Sequence, residues 1–305
     1  TDEIAEELFS EVGLDLEQLK KDALSSNFKP VPLGGIKMNA MLSNDLSFSV
    51  SHNIGGIKVG SKRPDEYVLM IAHWDHLGKR ESHSLTNDQI YNGAVDNATG
   101  VAGVIELANS FKNIALDRSL LFLAVTAEES GLLGSQYFAE YPPVDLSNIV
   151  AGYNFDGILP TGRTRDVVVV GYGASELENI LEEELNELDM YITPDPAPEK
   201  GFFYRSDHIS FAKKGVPMLY ADGGVNLNDG GIEAGSKISN DYTQYHYHQP
   251  SDEYKDSWDF SGFKEHLEIT RNMVFRLANS EEWPKWYEGN EFKAIREASK
   301  EIKPN

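Results

Sequence analysis

Three short, continuously apolar segments constrain this chain most: YVLMIA at residues 67–72, SLLFLAV at 119–125 and NIVAGYNF at 148–155. A strand with water on one face alternates apolar and polar side chains, so runs that are apolar at nearly every position belong to strands buried on both faces. Segments with helical spacing lie between them, at 101–111 and 131–141. Strands that alternate with helices imply crossovers covering both sides of one sheet. The expected fold class is therefore α/β, a mixed, mostly parallel central sheet sandwiched by helices. Further strands are expected at 166–170 and 216–221, with helices at 175–188, 207–214 and 260–278.

Ahead of this core, Ile4, Leu8, Val12, Leu16 and Leu19 recur every three or four residues among charges, which predicts one amphipathic helix over 3–23. The stretch PVPLGG at 30–35 breaks that spacing. The alternating run 46–50 followed by 55–60 then reads as strand, turn and strand. Residues 281–301 are charged with spaced apolar positions and are expected to dock as a terminal helix. The organisation expected is a helical lead-in over 1–45, a main domain over 46–280 and a C-terminal helix within 281–305 that packs on the same domain.

Charge and cysteine usage narrow the chemistry. A formal net charge of −22 repels nucleic acid and anionic lipid at long range, so neither is an expected partner. No apolar run approaches the roughly 18–20 residues of a membrane-spanning helix, which excludes membrane insertion by that route. With no cysteine among 305 residues, thiolate metal sites and cysteine nucleophiles are excluded, leaving oxygen and imidazole groups. The sequence opens on Thr1 without a basic stretch leading into an apolar one, as expected of a processed or excised chain.

In an open α/β sheet, ligands gather beyond the carboxyl ends of the strands. Three of the expected strands end in metal-binding residue types there: the first runs into His73 and Asp75, the second into Glu128 and Glu129, the third into Asp156. Taken singly, such carboxylates serve more often as helix caps or solvated charges; on three consecutive core strands they point to one site. In His73-Trp74-Asp75 an imidazole can bind metal through one nitrogen while a carboxylate fixes its tautomer through the other, and His76 competes for the ligand role. Asp96 sits in NGAVDNATG, a Gly-flanked turn before a helix, where it can cap or ligate. Adjacent Glu128 and Glu129 repel one another unless a cation or proton intervenes; one can bind metal while the other acts as base. Downstream, YHYHQPSDEY offers His246 and His248 with Pro250 and Asp252 behind them. One carboxylate shared among five oxygen and nitrogen ligands suits a pair of zinc ions about 3.5–4 Å apart. No G-x-S-x-G, Walker, H-E-x-x-H or G-x-G-x-x-G motif competes.

The ordered set AHWDHLG, NGAVDNATG, TAEESGLLGS, NFDG, RSDHISF and YHQPSDEY resembles the co-catalytic di-zinc aminopeptidases related to bacterial leucyl aminopeptidase and, more distantly, glutamate carboxypeptidase II. The similarity covers about residues 67–278. The resemblance implies a zinc-peptidase, phosphorylase-like three-layer architecture and two zinc ions per chain. His73 and Asp156 would bind one ion and Glu129 and His248 the other, with Asp96 bridging and followed by a cis peptide. Asp75 would orient His73, Glu128 would be the general base of an exopeptidase acting on peptides with a free N-terminus, and Tyr247 would polarise the scissile carbonyl. Arg205 would position substrate or pair with Asp207 or another acid, and His208 would be structural.

This chain departs from the family at three positions: Val95 stands where relatives often carry an acid, Trp74 where Tyr is frequent, and Gly157 where Met commonly follows the metal-binding Asp. None removes a ligand. Gly157 would reshape the pocket for the first substrate side chain, so substrate preference is left open. The lead-in resembles the segment that follows a protease-associated domain in larger relatives. Two other readings share the fold: a single-zinc glutaminyl cyclase, and a non-catalytic receptor-like interaction domain. Acidity, absence of cysteine and the resemblance together lead us to expect a secreted or periplasmic protein.

Overall fold

The computed structural model describes residues 1–79 and 88–301; residues 302–305, the end of the expected C-terminal segment, lie outside them. Two compact units are present, Thr1–Ser49 and Val50–Asn305. The first holds α1 (Asp2–Glu11) and α2 (Leu16–Asp22), not the single helix expected over 3–23. Gly13 adopts a φ of +74°, a left-handed conformation that ends the first helix at little cost only for glycine. Asp15 then starts the second by accepting the Gln18 N–H at 2.9 Å.

In the larger unit the chain runs β1 (Ile54–Lys58), β2 (Arg63–His73), the short strands β3 (Gly78–Lys79) and β4 (Ile90–Tyr91), α3 (Gly100–Phe111), β5 (Arg118–Val125), α4 (Leu133–Glu140) and β6 (Ile149–Asn154). It continues through β7 (Asp166–Val170), α5 (Leu177–Asn186), β8 (Tyr191–Pro194), α6 (His208–Ala212), β9 (Met218–Gly223), α7 (Gly231–Tyr245), α8 (Ser261–Asn279) and α9 (Lys293–Glu301). Seven strands form one sheet in the order β1-β5-β2-β6-β9-β7-β8. β5, β2, β6 and β9 run parallel, whereas β1 is antiparallel to β5 and β7 to β9. The sheet is thus mixed and mostly parallel, as its apolar strands predict.

Side-chain alternation along β2 divides the core between the two faces. Val68, Met70 and Ala72 pack with Leu107, Phe111 and Phe263 on the side of α3, α5 and α8. Leu69 and Ile71 pack with Phe138, Phe211 and Val216 on the side of α4 and α6. All five of these β2 side chains are at most 1% exposed, which is why the segment carries no polar residue before His73. Beyond the sheet, the Arg296 guanidinium donates to the Ile149 carbonyl at 2.6 Å and the Trp286 indole N–H to Gly215 at 3.0 Å, fixing the C-terminal segment to this unit. Among the described residues no helix is long and apolar enough to cross a membrane.

Several expected elements differ. Residues 46–50 form no strand despite their alternation; Leu46, Phe48 and Val50 are all more than 80% exposed, because a period-two pattern makes a strand only where a partner strand is available. The terminal helix occupies Lys293–Glu301 alone, since Pro284 and Gly289, with a φ of +85°, interrupt the preceding stretch. α7 and β8 were not expected. α7 buries only Gly235, so its sequence carries almost no apolar stripe.

Gly100 opens α3 where the helix passes closest to β6. A Cβ there would fall 2.2 Å from Asn97 Oδ1 and 2.6 Å from the Phe155 carbonyl oxygen, and the carbonyl cannot move without distorting the sheet edge. Gly100→Ala is expected to lower the unfolding free energy by about 1–3 kcal/mol, the usual range for overpacking, measured by urea denaturation.

Candidate metal centre

The sheet register assembles the site. β5 and β6 flank β2 and run parallel to it, His73 lying beside Val125 and Ile71 beside Asn154. The residues just beyond these strands, Glu128, Glu129 and Asp156, therefore emerge next to His73. After β5 the chain turns through Ala127 at φ +56°, an uncommon conformation for a residue with a Cβ, and so presents both glutamates at the strand end. Asp96 comes from the turn before α3, and its bond to Asn97 is cis.

Asp96 is the shared member of two groups. His73 Nε2 lies 3.2 Å from Asp96 Oδ1 and 3.1 Å from Asp156 Oδ1. His248 Nε2 lies 3.2 Å from Asp96 Oδ2 and 3.1 Å from Glu129 Oε2. Zinc bonds of about 2.0–2.1 Å in a tetrahedral arrangement place ligand atoms about 3.3 Å apart, so these donor sets fit zinc in both chemistry and spacing. His73, Asp96 and Asp156 could hold one ion and His76, Asp96 and Glu129 another, with His248 approaching the same two carboxylates of the second group. His76 Nδ1 is 2.7 Å from Glu129 Oε1 and 3.9 Å from Asp96 Oδ2.

The electrostatics are those of an anionic pocket. Burial opposes charging His73, but Asp156 and Asp96 outweigh it and hold the imidazole well above its usual pKa. Burial likewise opposes His248, yet hydrogen bonds to Asp96 and Glu129 raise it to about 9. Glu129, despite burial, is drawn down to about 2 by His248 and His76. Glu128 moves the other way: burial first, then Asp156, push it up to about 9. Two adjacent glutamates thus acquire opposite character from their burial and their partners.

Other polar residues hold the backbone of the site in place. The Asp75 carboxylate accepts the N–H groups of Glu128 at 3.1 Å and Glu129 at 3.3 Å, while His73 Nδ1 meets the Asp75 main-chain carbonyl at 3.0 Å. The Asp75 carboxylate itself is 3.8 Å from His73 Nδ1, so it aims the glutamate turn more directly than it orients the imidazole. Asp252 accepts the N–H groups of Val95 and Asp96 and the Tyr242 hydroxyl. Asn97 Oδ1 accepts from Gly100 and Gly157. The Ser206 hydroxyl donates to Asp156 Oδ2 at 2.5 Å and accepts from Asn154. Sequence reasoning assigned no role to Asn97, Ser206, Asn154 or Tyr242; the first three lie inside quoted motifs, the only signal that marked them, and Tyr242 lies in none.

A cavity of about 400 Å³ opens from Asp96, Glu128 and Asp156 and is lined by Gly157, Arg205 and Tyr247 among others. Gly157 has φ +76° and a Cβ there would meet nothing within 4 Å, so the backbone requires glycine and leaves the space open. The Tyr247 ring stacks on His248 at 3.9 Å between centroids, and burial, reinforced by Asp96, raises its phenol above the usual range. Arg205 lies over the Phe202 ring at 5.5 Å and makes no ion pair with Asp207, which is buried. His208 packs between Phe203 and Tyr220, where burial depresses it to about 3.

The sequence model of peptidase family M28 matches residues 53–274. The chain belongs to that family. It is 37% identical over 97 residues to a probable zinc metalloprotease of Pyrenophora tritici-repentis, covering 32% of this chain and 22% of the relative. It is 29% identical over 147 residues to aminopeptidase YwaD of Bacillus subtilis, 44% of this chain and 30% of that one. Among solved structures it shares the fold of a zinc aminopeptidase from Bacillus subtilis, with a TM-score of 0.56 at 20% identity, covering 75% of this chain and 51% of that one. The matched region thus spans about half or less of the length of these relatives.

Zinc binding to this M28 centre requires neutral imidazoles, and in the metal-free site His248 keeps its proton up to about pH 9. Below that pH each ion that engages His248 displaces a proton. Zinc affinity is therefore expected to rise by about tenfold per pH unit for each proton displaced between roughly pH 6.5 and 9 and to level off above. Calorimetry in buffers of different ionisation enthalpy measures the proton release directly, and a pH-independent affinity would contradict the assignment.

Proposed function

We propose that this chain is a zinc-dependent aminopeptidase that hydrolyses the N-terminal bond of peptides carrying a free amino group. The observation that carries the reading is the paired arrangement around Asp96: two imidazole–carboxylate groups share its oxygens, with Glu128 close by and outside both. Membership of the M28 family supports it, as does the similarity to aminopeptidase YwaD. His73 and Asp156 would hold one zinc, Glu129 and His248 the other, and Asp96 both. Bound zinc supplies a Lewis acid that makes water acidic near neutral pH and polarises a carbonyl oxygen.

The remaining work falls to the protein. Glu128 lines the cavity and is held by its own N–H on Asp75. Positive charge in the two neighbouring groups offsets the burial and the Asp156 repulsion that raise its pKa, so that Glu128 becomes a carboxylate able to accept a proton. It removes that proton from the water attacking the first peptide carbonyl. It then delivers the proton to the leaving nitrogen as the C–N bond breaks. Tyr247, whose hydroxyl stays protonated, donates to the oxygen on which negative charge develops. Arg205 at the exposed rim of the cavity positions the peptide chain, and Gly157 leaves room for the first side chain.

Glu128→Gln keeps the shape of the side chain but cannot carry the proton. It is expected to lower kcat by about 10²–10⁴-fold, the range for lost general acid–base catalysis, with zinc content by atomic emission unchanged. Leucyl-4-nitroanilide should be cleaved and its N-acetylated form should not. Near-normal turnover by the variant, or equal cleavage of the blocked substrate, would overturn the reading.

A further inference from the structure

The cavity at the metal centre is also lined by a carboxylate that has one oxygen without a hydrogen-bond partner. Besides Asp96, Glu128 and Asp156 it is lined by the apolar side chains of Leu159, Val168 and Val170 and by Asp222 and Asp195. The register places these acids together: β9 sets Asp222 beside Val168, and the Asp195 N–H is donated to the Val169 carbonyl at 3.1 Å. Asp222 follows Tyr220, which pairs with Asn154 at the end of β6. It therefore sits on the strand adjacent to the one that delivers Asp156.

Three other acids of this unit are committed to the backbone, and Asp207, which also has an unpartnered oxygen, does not line this cavity. Asp166 accepts the N–H groups of Val225 and Asn226, Glu178 those of Gly173 and Ala174, and Asp252 those of Val95 and Asp96. Asp222 is not: its Oδ1 is buried without a hydrogen-bond partner, and no cation pairs with it among the described residues. An unpartnered buried carboxylate is costly to stability. Burial, with Asp156 and Asp195 nearby, holds its carboxyl well above the usual range, a penalty that an entering cation relieves. The cations lining the same cavity, Lys200 and Arg205, lie over the Phe202 ring and leave the acidic end to the substrate.

We infer that this cavity receives the side chain of the N-terminal residue and selects a cationic one, lysine or arginine, with Asp222 as the selecting group. The inference rests on the aminopeptidase reading above. The apolar walls take the methylene stem of such a side chain, and the carboxylates take its ammonium or guanidinium head. Open space at Gly157 admits the long stem. Acidic first residues are disfavoured, because Asp222 and Asp195 offer them like charge.

The test uses zinc-loaded protein and a panel of lysyl-, arginyl-, leucyl- and glutamyl-4-nitroanilides. The kcat/KM for lysyl and arginyl substrates should exceed that for leucyl by roughly tenfold or more, in line with a charge-assisted hydrogen bond, with glutamyl lowest. Asp222→Asn should collapse the lysyl-to-leucyl ratio by a similar factor, with zinc stoichiometry and melting temperature checked to confirm a folded variant. Binding of L-lysinamide and L-leucinamide by calorimetry gives a second readout independent of turnover. A leucyl preference, or a ratio unmoved in Asp222→Asn by both readouts, overturns the inference while leaving the peptidase intact. Selective, Asp222-dependent lysinamide binding without cleavage of any substrate would uphold the pocket and sink the aminopeptidase reading instead.

Discussion

Asp96 is pulled on from three directions, and the site depends on that balance. One carboxylate oxygen faces His73, the other His248, and its main-chain N–H is held by Asp252. Asp156 and Glu129 crowd the same space, so without compensating positive charge the three carboxylates would repel one another. In the metal-free protein the imidazoles supply that charge by keeping their protons. Divalent cations would take over the role and free the imidazoles to bind as neutral ligands.

One residue type performs four tasks around this centre, and the partner decides which. Asp96, Asp156 and Glu129 face imidazoles and can hold metal. Asp75 and Asp252 face backbone N–H groups and fix the two turns that carry Glu128, Glu129 and Asp96. Glu128, half-buried beside Asp156, lines the cavity and is the group we propose for proton transfer. Asp222 lines that cavity with an oxygen unpaired. A net charge of −22 therefore comes partly from the carboxylates gathered at this centre, in addition to a solvated surface.

The apolar runs ending in His73, Glu128 and Asp156 made the sheet and its functional edge legible, because burial on both faces leaves an unambiguous pattern. The same kind of local reading failed where no packing partner followed. Residues 46–50 alternate like a strand but find no neighbouring strand, and the periodic spacing over 3–23 is divided at Gly13 by a backbone conformation that hydrophobic periodicity does not register. α7 escaped notice for a different reason: its apolar residues are few, and it buries a single glycine.

Residue identity at the strand ends, together with the absence of cysteine, by itself determined that the chemistry rests on imidazole and carboxylate, and which of them are candidates for metal. Only the tertiary structure decided their division of labour. It set Glu129 against His248 and His76 while leaving Glu128 among acids, gave the Asp75 carboxylate to two backbone N–H groups, brought Asp252 from far downstream beneath Asp96, and left Asp222 without a partner. The reason is physical: a carboxylate's charge state and role follow from what lies within hydrogen-bonding distance, and those neighbours come from strands and turns remote in sequence.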